Sequence, residues 1–291
     1  MLIFLSVVFI LIIIALLISA IDMNRFVVKR YTVESCKISK DLRAVVISDL
    51  HNKSYGKNNA PLLVRIDSIN PDCVLLTGDI LTGIPGKDEK NALNLVKALS
   101  KKYPVYYVNG NHETRMRIKR EKYGSQYDEY MEKLLMNDLY YLENTSKYLE
   151  DTNIRITGYE IPLDYYKRGR RQRLPLDEIE SSVGKTDETE FQILLAHNPD
   201  YFETYAKWGA DLTLSGHVHG GIVKLPVLGG VISPAYRLFP KYDGGLFESG
   251  DKKMILSRGL GSHTLPLRVF NPGELILVEF ISKKACKDSK R

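Results

Sequence analysis

Beyond residue 40 the chain repeats one pattern: a short apolar run, often followed at once by Asp, Asn or His. The runs are Ala44–Ser48, Cys73–Thr77, Val105–Asn109, Ile154–Thr157, Ile193–Ala196, Leu212–Ser215, Met254–Ser257 and Leu275–Phe280. They are too short for helices and mostly β-branched or aromatic, so they read as buried strands. Between them lie residues at helical spacing: Leu62, Leu63, Ile66 and Ile69; then Leu93, Val96 and Leu99; then Tyr127, Tyr130, Met131, Leu134 and Leu135. Asn198-Pro199 opens a further helix, with Asn as cap and Pro in its first turn, and Gly209 closes it. Strand–helix alternation over this length argues for an α/β domain. No internal repeat or Ser/Gly linker divides it, so one domain over 41–282 is expected, followed by a basic tail at 283–291. With 44% hydrophobic and 26% charged residues, a mainly disordered chain is excluded.

The N-terminus is of another kind. Leu2 to Ile21 carries no charge, and only Ser6 and Ser19 are polar. As a helix this stretch spans roughly 30 Å, the hydrocarbon thickness of a bilayer. A cleaved signal peptide has a basic start and a shorter apolar core. Here no Lys or Arg precedes the run, although Ile18-Ser19-Ala20 resembles a cleavage site. A single transmembrane anchor at 1–21 is therefore expected, with a basic juxtamembrane segment at 22–40. That segment holds Arg25, Lys29, Arg30, Lys37 and Lys40 against Asp22 and Glu34, which favours a cytoplasmic domain. A large domain can cross regardless of such charge, so the extracytoplasmic side stays open. Three scattered cysteines, Cys36, Cys73 and Cys286, make no disulfide framework and no zinc-type pair.

Five runs deliver metal-capable side chains. They lead into Asp49-Leu50-His51, Gly78-Asp79, Gly110-Asn111-His112-Glu113, His197 and Gly216-His217-Val218-His219. In α/β sheets, ligands bind beyond the carboxyl ends of the strands. Asp-x-His and His-x-His place alternate residues on one side of an extended backbone, and glycines at 78, 110 and 216 allow a sharp turn. Asp49, His51, Asp79, Asn111, His197, His217 and His219 supply nitrogen and oxygen donors and no thiolate. That set suits Mn, Fe or Zn, with Mn favoured. It exceeds the needs of one ion and fits two divalent ions sharing a carboxylate, a device for hydrolysing phosphoester and peptide bonds.

These blocks, D-x-H, G-D, G-N-H-[DE], H and G-H-x-H in that order over Asp49–His219, resemble the calcineurin-like metallophosphoesterases. The resemblance implies an αββα sandwich of two mixed sheets flanked by helices. It implies that Asp49, His51 and His219 hold one ion, that Asn111, His197 and His217 hold the other, and that Asp79 bridges them. His112 matches a family histidine that contacts the scissile phosphoryl group and aids the leaving oxygen. The implied reaction is attack by a hydroxide held between the ions, with no nucleophilic side chain. Gly78-Asp79-Ile80-Leu81-Thr82-Gly83 lacks the Asp-Arg pair that the protein serine/threonine phosphatases carry there. Ser257-Arg258-Gly259-Leu260-Gly261, followed by Pro272 and a last strand, resembles the small membrane-associated bacterial branch, some of whose members act on phospholipid-like or nucleotide-sugar-lipid substrates.

The expected function is hydrolysis of a phosphodiester or pyrophosphate bond in a small molecule or lipid headgroup, by a single-pass membrane protein with no obligatory protein partner. Alternatives are a cyclic-nucleotide or nucleotide-sugar diesterase and a non-catalytic scaffold; the complete ligand set argues against the last. Net charge is +6, and basic residues cluster at 115–122, 167–173 and 283–291. The first two clusters are placed to reach the site mouth or anionic headgroups. They lack the regular aromatic interleaving of a single-strand groove, so nucleic acid is not expected. Residues 222–247, apolar but broken by Gly and Pro, are a candidate pocket wall through Leu225, Val227, Leu228 and Phe239. His263 is expected to be structural.

Overall fold

A computed structural model describes residues 1–167, 172–221, 223–225, 229–232, 240–262 and 266–283. Arg168, Arg170, Arg171, Val227, Leu228, Phe239, His263 and the tail beyond Lys283 lie outside them.

The chain opens with α1 (Leu2–Asn24), β1 (Phe26–Ser35), β2 (Leu42–Ile47), α2 (Ala60–Ile69), β3 (Cys73–Leu76), α3 (Lys90–Ser100) and β4 (Val105–Tyr107). Next come α4 (Asn111–Ile118), α5 (Arg120–Tyr123), α6 (Gln126–Leu135), β5 (Tyr140–Tyr141), β6 (Ser146–Leu149) and β7 (Ile154–Gly158). The remainder is α7 (Leu176–Val183), β8 (Phe191–Leu195), α8 (Phe202–Trp208), β9 (Leu212–Ser215), β10 (Val223–Leu225), β11 (Gly229–Ile232), β12 (Gly245–Ser249), β13 (Lys252–Leu256) and β14 (Gly273–Ser282).

Two six-stranded mixed sheets form, ordered β1-β14-β2-β3-β4-β5 and β12-β13-β9-β8-β7-β6. The two-residue period of each strand divides its side chains between layers. In β2, Ala44 and Val46 join β8, β9 and β13 residues such as Ile193, Leu214 and Ile255 in a core between the sheets. Val45 and Ile47 point the other way, onto α2, α3 and α6 through Leu62, Ile66, Val96 and Leu134. On the far side, Leu194 and Ala196 pack with Ile179 of α7 and Tyr205 and Trp208 of α8. Helix, sheet, sheet and helix are thus stacked, because each strand in the middle of a sheet is apolar on both faces.

Every run read as a strand is one, with ends shifted by a residue or two. The proline-opened helix begins as a 3₁₀ turn at Pro199–Tyr201, where the Asn198 side chain accepts from the Asp200 amide at 3.0 Å.

The segment at 22–40 departs from the expected basic flank. Phe26–Ser35 is an edge strand, paired in parallel with β14 from Phe26↔Gly273 to Ser35↔Ser282. An edge strand with one solvated face carries Lys29 and Arg30 at little cost, so its charge masks its pairing. Cys36 is disulfide-bonded and Cys73 is free and buried, so the scattered spacing concealed a cross-link.

α1 runs 23 residues and is long and apolar enough to cross a membrane. Ser19 and Asp22 are its buried residues. They seat its end on the loop before β14, where the Arg268 and Asn271 amides donate to Ser19 Oγ at 3.0 Å and Asp22 Oδ2 at 2.9 Å.

Candidate metal centre

The five blocks meet at one edge of the sandwich, where β2, β3, β4, β8 and β9 end. Asp49, His51 and His219 bring one ligand atom each within 4.8 Å of one another, and so do Asp79, His197 and His217. His51, Asp79 and His112 form a third such group. Asn111, in the first turn of α4, is buried with them. His217 alone is partly exposed; the others are buried.

Convergence does not come from extended alternation. Asp49, His51, Asp79, His217 and His219 have φ of 50°, 51°, 53°, 76° and 53°. The chain folds back in a left-handed turn at each, whereas alternate residues of an extended strand stand roughly 6.6 Å apart. Such conformations are costly for non-glycine residues and persist where surrounding bonds over-determine them. Gly78, at φ 94°, makes the expected sharp turn, whereas Gly110 and Gly216 matter for close approach. A Cβ on Gly110 would lie 2.2 Å from Asp79 Oδ1, and one on Gly216 would lie 2.0 Å from Ser48 Oγ and 2.3 Å from Asp49 Oδ2.

The outward nitrogen of three imidazoles faces a backbone carbonyl. Nδ1 of His51 meets Leu81 O at 3.1 Å, Nδ1 of His197 meets Thr77 O at 2.8 Å, and Nδ1 of His219 meets Gly261 O at 3.3 Å. A carbonyl only accepts, so each Nδ1 carries the hydrogen and each Nε2 keeps its lone pair turned inward. His51 Nε2 and His219 Nε2 stand 3.1 Å apart. Two facing lone pairs repel unless a proton or cation lies between them. His197 Nε2, 3.1 Å from Asp79 Oδ2, has no hydrogen-bond partner among the described residues, and neither has the buried Asn111 Oδ1. An orphaned amide oxygen, the unpartnered His197 Nε2, the facing His51 and His219 Nε2 atoms and two buried carboxylates fit divalent cations, with the carbonyls orienting the rings.

The electrostatics agree. Burial pushes the Asp49 carboxyl above its usual range. Burial also opposes charge on Asp79, yet His197 and His112 hold it well below the usual range. Burial likewise disfavours protonated His197, but the Asp79 carboxylate outweighs this and pushes the imidazole up to about 10.

His112 differs from the other histidines. Its Nδ1 accepts from the Gly83 amide at 2.8 Å, so the neutral ring carries its hydrogen on Nε2, which stands 3.9 Å from Asp79 Oδ2. That nitrogen faces the cluster as a donor rather than a ligand.

Two residues escaped sequence reasoning. Glu113, fully buried, accepts from the amides of Asp79 (3.0 Å), Leu81 (2.8 Å) and Gly110 (2.9 Å). It ties the loop after β3 to the loop after β4, and its place in the Gly110–Glu113 block was the available signal. Tyr166 packs edge-on to His217, with ring centroids 5.0 Å apart, and no sequence signal marked it. Among the described residues, two of the first basic cluster form ion pairs within the fold, while Lys119, Arg120 and Lys122 are exposed. Arg117 pairs with Glu143 and Glu160, and Arg120 with Asp128.

The Calcineurin-like phosphoesterase family model matches residues 42–221, which hold every block of this centre. The chain belongs to that family. Family and geometry together point to a divalent metal site. An uncharacterized metallophosphoesterase of Campylobacter jejuni is 28% identical over 260 residues, covering 88% of this chain and 64% of that one. The chain thus spans less than two thirds of that relative. The uncharacterized metallophosphoesterase YkuE of Bacillus subtilis is 26% identical over 239 residues, covering 80% and 77%. The UDP-2,3-diacylglucosamine pyrophosphatase LpxG of Chlamydia muridarum is 24% identical over 284 residues, covering 81% and 83%.

Proposed function

We propose that this chain is a membrane-anchored dinuclear phosphoesterase cleaving diester or pyrophosphate bonds in lipid-presented substrates. Asp49, His51 and His219 hold one ion, Asn111, His197 and His217 hold the second, and Asp79 lies between them. The observation that carries the two-ion reading is the inward Nε2 pair of His51 and His219, 3.1 Å apart with both Nδ1 atoms on carbonyls, together with the unpartnered His197 Nε2 beside Asp79 and the unpartnered, buried Asn111 Oδ1. Two divalent ions there would supply an acidified water and neutralise charge on the phosphoryl oxygens, and the nitrogen–oxygen donor set suits Mn, Fe or Zn.

The chain's own residues supply the rest. His112 presents Nε2–H where the leaving oxygen develops charge, and Gly83 fixes that tautomer. Glu113 holds the Asp79 turn rigid, so no reorganisation is needed during reaction.

The membrane reading rests on α1 and on the seating of its end against the domain through Ser19 and Asp22. This brings the site close to the bilayer surface, where a lipid headgroup is presented. The name of the Chlamydia muridarum relative, a pyrophosphatase of a diacylated nucleotide sugar, supports the same substrate class. The disulfide at Cys36 supports an extracytoplasmic domain over the cytoplasmic one that flanking charge favours, because such bonds persist in oxidising compartments.

The test is to strip the full-length, detergent-solubilised chain of metal, add back Mn²⁺, and follow bis-(p-nitrophenyl) phosphate beside p-nitrophenyl phosphate. Mn-dependent turnover favouring the diester, lost in His112→Ala with Mn still bound, supports the reading. Turnover indifferent to metal and to His112 refutes it.

A further inference from the structure

The residues that receive the end of α1 also reach the metal centre. Asn271 donates its backbone amide to Asp22 Oδ2 at 2.9 Å and its side-chain amide to the carbonyls of His219 and Gly221, each at 2.7 Å. Arg268 donates its backbone amide to Ser19 Oγ at 3.0 Å. Its buried guanidinium fans out to the carbonyls of Gly261, Gly259 (3.2 Å), Arg258 (2.9 Å) and Asn271 (3.2 Å). Among the described residues it meets no carboxylate. Such a fan uses the planar five-donor geometry that only arginine offers.

The turn that Arg268 gathers lies directly on the first metal triad. Gly261 O is the acceptor that faces His219 Nδ1. The amides of Leu260 and Gly261 donate to Ser48 O at 3.1 Å and Asp49 O at 2.6 Å. A Cβ on Gly259 would lie 2.6 Å from the Asp49 Cβ, so turn and ligand are in close contact. His219 is therefore held twice, at its carbonyl by Asn271 and at its ring through the carbonyl that Arg268 grips. None of these bonds reaches Asn111 or His197.

We propose that Arg268 and Asn271 are positioning residues for the Asp49–His51–His219 ion, and that Ser19 and Asp22 of α1 hold them in place. The membrane helix is then part of the support of one metal site, not a detachable tether. The asymmetry is the content of the proposal: loosening the end of α1 weakens one ion and spares the other. This rests on the two-ion reading.

The experiment titrates Mn²⁺ into the metal-stripped, full-length chain in detergent and follows free Mn²⁺ by electron paramagnetic resonance. Wild type, Asp22→Ala, Asp22→Asn, Arg268→Lys and His219→Ala are compared, each checked for folding by thermal melting. Residues that orient ligands typically change metal affinity about 10–100-fold. Asp22→Ala and Arg268→Lys are expected to weaken one of two Mn²⁺ sites by about tenfold and leave the other. Asp22→Asn keeps an oxygen for the Asn271 amide and is expected to recover most of the loss. His219→Ala identifies the affected site by abolishing it. Unchanged affinity at both sites in folded Asp22→Ala and Arg268→Lys overturns the proposal, as does equal weakening of both sites. A wild-type chain that binds no second Mn²⁺, or is indifferent to His219→Ala, refutes the two-ion reading and this inference with it.

Discussion

Glu113 offers the sharpest test of how the centre is held. Its Oε2 accepts from the amides of Asp79 and Gly110, and its Oε1 from the amide of Leu81 and, at 3.3 Å, from Tyr107 Oη. In Glu113→Gln the best arrangement keeps an oxygen on the Asp79–Gly110 side. The new NH₂ then faces the Leu81 amide, and two donors oppose each other, while the Tyr107 hydroxyl can turn and accept. One buried amide is orphaned, at a cost of about 2 kcal/mol. For a chain of this size that lowers the melting temperature by roughly 3 °C. Glu113→Ala orphans all three amides, and by the same scale costs about 6 kcal/mol, a large share of the whole stability. The assay is thermal melting of the metal-stripped chain, followed by Mn²⁺ titration. Loss should grow from Gln to Ala, and Mn²⁺ affinity should fall in both because Asp79 is released. Equal melting temperatures for wild type and Glu113→Ala would refute the claim that these bonds define the Asp79 turn.

Other outcomes follow from the same geometry. His112→Gln should lower turnover by about 10²–10⁴-fold while both Mn²⁺ ions remain bound, measured by diester hydrolysis beside metal titration. In the metal-stripped chain the His197 pKa is raised to about 10, from an unfolded value of about 6.5. Its contribution to stability is therefore complete below about pH 6.5 and lost as pH rises through about 10. Urea midpoints should fall over that window in the stripped chain and hold steadier with Mn²⁺ bound, and His197→Gln should flatten the slope. Gly216→Ala should destabilise by about 1–3 kcal/mol and weaken Mn²⁺ binding, because its Cβ would overlap Ser48 and Asp49; a normal melt with normal binding would contradict the packing described.

The eight apolar runs were legible as strands because a strand buried on both faces writes an unbroken apolar string into the sequence. The metal-capable side chains were legible because strand ends deliver them, block after block. What could not be read was how they converge. Left-handed turns at Asp49, His51 and Asp79 leave no compositional mark, since non-glycine residues adopt them only under tertiary constraint. Glu113 looked like one more acidic residue until three amides were seen to point at it.

The local pattern of the chain by itself determined the strand set, the apolar helix and the identity of the metal-capable donors, because those depend on residues near one another in sequence. Tertiary structure alone decided that Phe26–Ser35 pairs with Gly273–Ser282. It also decided that Asp22 meets Asn271, and that Asn271 in turn grips His219. The Asp22–Asn271 contact joins residues 249 positions apart and the Asn271–His219 contact residues 52 apart, and no local periodicity encodes a partner at either separation. They depend on the sheet that sets β1 beside β14 and so brings residues near 22 and near 271 to the same edge.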